Sequence, residues 1–529
     1  MHQLRLTLSV DELPEWANMG KLGLNLLFDE TSYKEMNLAL QLVHKAENNR
    51  LAELREVLAG DTLPEFIAKP LLQIDRLNNS QNQALNHVLQ AKDVAVIHGP
   101  PGTGKTTTIV ETIKAVLATE KQVLVCAASN TAVDLLTEKL AEKGLQVLRF
   151  GNPSRVSESL IAHTVDAKSA AHPEYKRIKE FKKRAAEFKN FASKYKRTFG
   201  REERQQRNLI LDESKKLHAE AEKIEKYILE DLLTTTQVIT ATLVGAAHYT
   251  LKEKTFSTVF IDEAGQALEA GCWIPIAKAQ RVVMAGDHLQ LPPTIKSQEA
   301  AKQGLSTTLL EKLMKKNNVA TMLETQYRMN EQIMAFSNEK FYDGKLIAHD
   351  SVKNATLTSI DGEKFAPLVF VDTAGCGYEE SPGKENTSLC NEEEAILLLN
   401  HLKQTLEKST TVPSIGIISP YKAQVNLLQE KLGQDKFFAG YKIAVNTIDG
   451  FQGQEKDVIY ISLVRSNDNG EIGFLSDTRR MNVAMTRAKK KLVIIGDSAT
   501  IGGHPFYKDF IDYTAKIAAH RTAWEFVYQ

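Results

Sequence analysis

The run His98-Gly99-Pro100-Pro101-Gly102-Thr103-Gly104-Lys105-Thr106 fits the pattern GxxxxGK[ST]. It stands directly after an apolar, strand-like run and before a helical one, the context that gives the pattern its meaning. Glycines let backbone N–H groups turn inward around a phosphate, and the helix that follows adds the positive end of its dipole. Lys105 is expected to reach the β- and γ-phosphates. Thr106 is expected to ligate Mg²⁺, with Thr107 beside it completing the nucleotide contacts. A metal held this way needs an acidic partner at the end of a neighbouring strand. Ser257-Thr258-Val259-Phe260-Ile261-Asp262-Glu263 supplies one. Asp262 is the expected metal partner, and Glu263 the group that polarises the attacking water.

A phosphate loop is common to many nucleotide hydrolases, so the rest of the chain must choose among them. Asp262-Glu263-Ala264-Gly265-Gln266 is followed by Gly286-Asp287-His288-Leu289-Gln290-Leu291-Pro292-Pro293 and by Gln326-Tyr327-Arg328-Met329. Further on come Asp449-Gly450-Phe451-Gln452-Gly453-Gln454-Glu455-Lys456-Asp457 and Arg480-Met481-Asn482-Val483-Ala484-Met485-Thr486-Arg487-Ala488-Lys489. With these motifs in this order, from about Leu77 to Asp497, the chain resembles superfamily 1 helicases of the up-frameshift type. That subgroup includes the senataxin-like and immunoglobulin-mu-binding helicases.

The resemblance implies two RecA-like domains with ATP between them and 5′-to-3′ movement along a single strand. It implies that Gln81 reads the adenine edge, since a primary amide pairs with adenine's donor and acceptor at once. It further implies that Tyr327 stacks on adenine, Gln290 senses the γ-phosphate and Glu455 lies near the ribose. Arg328 and Arg487 are then the arginines brought in from the second domain. For the nucleic acid it implies contacts from Ser129 and Asn130, from Thr242, and from Tyr421 and Thr447. Contacts of this kind meet sugar and phosphate, so sequence-independent binding of single-stranded DNA or RNA is expected. Relatives carry a β-barrel before the first motor domain. Here Leu4–Leu8 and Asp11–Trp16 resemble only its last strand and exit, so most of the barrel is expected to be missing. Two alternatives to a helicase follow: an ATPase that remodels protein–nucleic acid complexes without unwinding, and an ATP-gated clamp.

The elements that must hold these residues are legible as short apolar runs. Asp93–His98, Gln122–Ala127, Gln237–Ala241, Thr258–Ile261 and Arg281–Ala285 form one set. Leu368–Val371, Ser414–Ile418, Lys442–Asn446, Asp457–Leu463 and Lys491–Ile495 form a second. β-Branched runs without polar alternation suit parallel strands covered on both faces. The expected fold is therefore α/β, two doubly wound parallel-sheet domains. The expected division is an N-terminal barrel remnant plus helices at 1–76, with Ser32–Val57 as one or two amphipathic helices, a split first domain at 77–150 and 236–305, and a second at 306–529. Residues 151–235 are expected to form an inserted helical hairpin. Ile178, Phe181, Ala185, Phe188, Ala192, Tyr195 and Phe199 keep a helical seam spacing, and Ile210, Ser214, Leu217, Ala221, Ile224 and Ile228 resume it after a turn at Thr198-Phe199-Gly200.

The chain has 529 residues, 43% hydrophobic and 25% charged, with 66 basic against 66 acidic side chains. That balance excludes a disordered or acidic-tail protein. No run approaches the roughly 20 apolar residues of a membrane span, so no membrane association is expected. Four dispersed cysteines argue against a disulfide framework and for a reducing compartment, cytoplasmic or, in a eukaryote, nuclear. A monomer is expected. Zero net charge does not oppose a nucleic-acid partner, because charge is placed locally. Residues 175–201 hold eleven Lys/Arg against Glu180 and Glu187, and it is local placement that sets the field a strand meets.

Overall fold

The computed structural model describes residues 30–152, 155–193, 200–295, 297–316, 318–383 and 388–527. All ten expected strands form, and they assemble into two parallel sheets. The first sheet runs, in spatial order, Val147–Phe150, Val238–Thr242, Val123–Ala127, Phe256–Asp262, Ala279–Gly286, Val94–His98, Ala320–Met322. The second runs Ile443–Thr447, Ile415–Ser419, Lys456–Ser462, Ala488–Gly496, Leu368–Asp372, His520–Thr522. Hydrophobic clusters cover both faces of each sheet, which is why the central strands carry no polar alternation.

Three edge strands escaped the sequence reading. Val147–Phe150 carries Arg149, a charge inside an otherwise apolar run. Burial is possible there because its Nε donates to Asp134 Oδ1 at 3.0 Å. Ala320–Met322 and His520–Thr522 are three residues each, too short for periodicity to register. Ala320–Met322 also moves a boundary. It pairs with Val94–His98, and Leu309, Leu310 and Leu313 join the first sheet's core. Residues 306–322, expected in the second domain, therefore belong to the first sheet.

Near the N-terminus, helices Glu30–His44 and Arg50–Leu58 put Ala39, Val43, Leu54, Val57 and Leu58 into the same core. The helices expected in this segment thus form, and they pack into the first domain's core. Leu4–Leu8 and Asp11–Trp16 lie outside the described residues. So do Tyr195, Phe199 and most of the expected turn. The hairpin itself forms from Tyr175–Ser193 and Arg201–Thr235. Ile178 packs with Ala221 and Ile228, and Ser214 Oγ donates across the seam to the Ala185 carbonyl at 2.8 Å. Among the described residues no helix is long and apolar enough to cross a membrane.

Parallel strands bring their C-terminal ends to one edge. Register pairs His98 with Gly286, and Ala127 with both Thr242 and Asp262. The phosphate loop, Asp262-Glu263 and Asp287 thus leave the first sheet side by side. The second sheet is held rigid by an aromatic cluster in which Phe336, 1% exposed, meets Phe506 and Phe510 at ring distances of 5.2 and 5.1 Å. Phe336→Ala is expected to cost about 3–5 kcal/mol, read as a lower urea midpoint by circular dichroism. An unchanged midpoint would refute this packing.

Candidate active site between the two sheets

A cavity of about 340 Å³ lies where the sheets meet. Gly99–Thr106, Glu263, Gln266 and Gln290 form one wall, all from the first sheet's C-terminal edge. The facing wall is Tyr327, Arg328, Gln452, Gly453, Glu455 and Arg487. Glu455 and Arg487 stand immediately before Lys456–Ser462 and Ala488–Gly496, so the second sheet offers strand beginnings to the first sheet's strand ends.

Sequence chemistry dictates the loop's shape. Gly102 and Gly104 both have φ +76, a left-handed conformation that glycine adopts without steric cost. A Cβ on Gly102 would lie 2.6 Å from the Arg328 Cβ, and one on Gly104 would lie 2.7 Å from Gln81 Nε2. The loop is therefore clamped between its own domain and the neighbouring one. Tyr327 N–H donates to the Gly102 carbonyl at 2.8 Å, a direct backbone link across the cavity.

Lys105 Nζ donates to Glu263 Oε1 at 2.5 Å and pairs with Asp262 Oδ1 at 2.9 Å. Burial disfavours its charge, but the two carboxylates outweigh burial and hold the ammonium above its ordinary value. Glu263 also accepts from Gln266 Nε2 at 2.9 Å. It is a non-glycine residue at φ +51, a strained conformation of the sort that collects at functional sites.

On the opposite wall, Arg328 Nε donates to Glu455 Oε2 at 2.6 Å, and Lys489 holds the other oxygen at 2.7 Å. Burial alone would raise the Glu455 carboxyl; Arg328 and Lys489 overcome it and leave the group below the usual carboxylate range. Arg487 is 4% exposed. Its Nε donates to the Val483 carbonyl at 3.0 Å, and Nη2 donates to Gln290 Oε1 at 3.2 Å. Burial, with Arg328 nearby, pushes its guanidinium down to about 9. An anion in the cavity relieves that cost.

Behind the cavity a buried network ties the sheets together. Asp287 accepts from His98 Nε2 at 3.0 Å, from Gln290 Nε2 at 2.8 Å and from the Tyr342 hydroxyl at 2.8 Å. Asn482 then donates to the Tyr342 oxygen and to the Leu289 carbonyl, both at 3.0 Å.

Some expected residues stand elsewhere. Gln81 is off the cavity wall. It completes a capping box with Asn78, and its Nε2 donates to the Thr103 carbonyl at 3.0 Å, so its amide supports the loop. Asn78 Nδ2 donates to the Tyr327 hydroxyl at 3.0 Å, a contact between residues 249 apart that no local pattern announces. Thr107 is exposed and the wall ends at Thr106.

The expected nucleic-acid residues gather at the C-terminal edges, but their side chains serve local turns. Ser129 Oγ accepts from Ala132 N–H at 3.2 Å, Thr242 Oγ1 from Gly245 N–H at 3.0 Å, and Thr447 Oγ1 from Gly450 N–H at 3.3 Å. Asn130 Oδ1 accepts from Arg149 Nη2 at 2.9 Å. Tyr421, expected at the strand, is 3% exposed. Its ring rests against Phe474 at a centroid distance of 5.5 Å.

Family models described as AAA domains match residues 76–298 and 305–499. The chain is 33% identical over 553 residues to an uncharacterized ATP-dependent helicase of Methanocaldococcus jannaschii, covering 96% of this chain and 80% of that one. The chain belongs to the up-frameshift-type superfamily 1 helicases. Within that family it is also similar to DNA-binding protein SMUBP-2 of Rattus norvegicus, 37% identical over 515 residues, covering 95% of this chain and 51% of the relative. ATP-dependent helicase upf1 of Schizosaccharomyces pombe is 32% identical over 518 residues, covering 92% of this chain and 52% of the relative. The chain thus spans about half the length of these two curated relatives.

For this helicase-family site, Gly102→Ala combines a left-handed strain of order 1–3 kcal/mol with a collision at Arg328. It is expected to weaken ATP binding about tenfold or more by calorimetry, with helical content unchanged. Wild-type affinity in the variant would contradict the clamped loop.

Proposed function

We propose that the protein is an ATP-dependent helicase that hydrolyses ATP in this cavity and moves along single-stranded DNA or RNA without sequence preference. The observation that carries the reading is the meeting of Gly99–Thr106 and Glu263 from one sheet with Arg328 and Arg487 from the other.

The loop's N–H groups and Lys105 bind the phosphates. For Lys105 to reach them it must leave Glu263 and Asp262, and a triphosphate offers the stronger counter-charge. Glu263, released from the ammonium and still positioned by Gln266, then accepts a proton from the attacking water. The Thr106 hydroxyl and the freed Asp262 carboxylate are hard oxygen donors of the type that suits Mg²⁺. When bound, that ion neutralises charge on the phosphate oxygens. Tyr327 presents its ring to the base. Arg328 and Arg487 meet the charge that develops on the transferred phosphoryl group, so turnover requires both sheets to close on the nucleotide.

Movement follows from the same geometry. The connection Ile448–Glu455 begins at Thr447, on the edge proposed to meet nucleic acid, and ends on the cavity wall. A change at the phosphates is thereby passed through a short, packed segment that buries Phe451.

Lys105→Ala is expected to abolish hydrolysis in a coupled ATPase assay with oligo-dT or oligo-U. Arg487→Ala is expected to lower kcat by about 10³–10⁵ with a much smaller change in ATP affinity. Equal losses in both would argue against a transition-state role. Oligonucleotide affinity is expected to fall steeply between low and moderate salt, as counterion release requires. A flat salt response would refute phosphate-led binding.

A further inference from the structure

Phe474 is a large aromatic side chain left 57% exposed, yet the surroundings fix it in place. It lies in the turn Gly473–Ser476, within the connection that leaves the second sheet after Lys456–Ser462. That is the same edge on which Tyr421 and Thr447 stand, since Ser419 pairs with Thr447. Its ring rests on Tyr421 at a centroid distance of 5.5 Å and a tilt of 50°.

The support beneath it is built in layers. The Tyr421 hydroxyl accepts from Arg465 Nη1 at 3.4 Å, and Arg465 Nε donates to Glu380 Oε2 at 2.8 Å. Arg465 is 6% exposed. Gly473 has φ +53, and a Cβ there would collide with Arg465 Nη1 and the Tyr421 hydroxyl. Glycine adopts this left-handed φ without steric cost and leaves room for the turn to seat Phe474 on Tyr421. The next residue, Leu475, is buried and anchors the turn.

A cation flanks the ring. The Arg480 guanidinium carbon is 5.9 Å from the Phe474 centroid. Arg480 reaches Asp449 at 3.5 Å and Asp477 at 3.7 Å, and Asp449 lies two residues past Thr447. Phe474 and Arg480 therefore continue the surface proposed to carry the strand. A rigid exposed ring beside a guanidinium is the arrangement that stacks a nucleobase while its phosphate meets the cation.

We propose that Phe474 is a base-stacking platform for the single strand, with Tyr421 and Gly473 positioning it and Arg480 serving the adjacent phosphate. This rests on the nucleic-acid reading above. Every base has a π-face, so the platform grips without choosing sequence.

The test is fluorescence anisotropy with labelled oligo-dT and with an abasic oligonucleotide of the same length, at low salt. Phe474→Ala is expected to weaken oligo-dT binding about 5- to 150-fold, the range for losing one stacked base. Its affinity for the abasic strand is expected to match that of the wild type. Phe474→Trp is expected to restore oligo-dT binding and to show indole quenching on binding. Unchanged oligo-dT affinity in Phe474→Ala overturns the platform. An equal loss on both strands also overturns it, because the effect would then lie in the scaffold. If the wild type binds neither strand, the nucleic-acid reading itself fails.

Discussion

Arg487 is a guanidinium buried between two neutral oxygens, those of Val483 and Gln290, and much of the structure follows from where it must stand. A buried charge is costly unless paired, and the site that can pair it is the phosphate cavity across the seam. Its hydrogen bond to Gln290 crosses from the second sheet to the first. Gln290 is held in turn by Asp287, which Tyr342 and His98 grip from both sides. The position of the arginine is thus set by a network that exists only when both sheets are in register with each other.

The opposite wall has the complementary problem. Lys105 sits on the two carboxylates that catalysis needs free. The three groups satisfy one another's buried charge. In the proposed mechanism a triphosphate draws Lys105 away and adds to the counter-charge that Glu263 and Glu455 offer Arg487. On that proposal, binding and activation are the same electrostatic exchange, with the differential contacts that favour a closed state.

Much of the fold and of the cavity's lining is legible in the sequence. Continuous β-branched runs mark ten of the strands, and the motif from Gly99 to Thr106 marks one wall of the cavity. The failures have physical causes. Arg149 disguised an edge strand because its ion pair with Asp134 is remote from the local pattern. Residues 306–322 were assigned to the wrong sheet because a three-residue strand carries no period. Gln81 and Tyr421 also hydrogen-bond within the protein, to Thr103 and with Arg465, partners that spacing does not announce. The bridges Asn78–Tyr327 and Asp287–Tyr342 join distant residues, so spacing cannot show them.

The proposed mechanism requires the two sheets to close on a triphosphate shared between them. Energy transfer between dyes at position 71 and position 412 reports it, because Leu71 and Val412 are 77% and 73% exposed and stand on different domains. A non-hydrolysable ATP analogue is expected to shift the wild-type protein to a distinct transfer efficiency, and ADP is expected to shift it less. Identical efficiency with the analogue, with ADP and with no nucleotide would contradict the account.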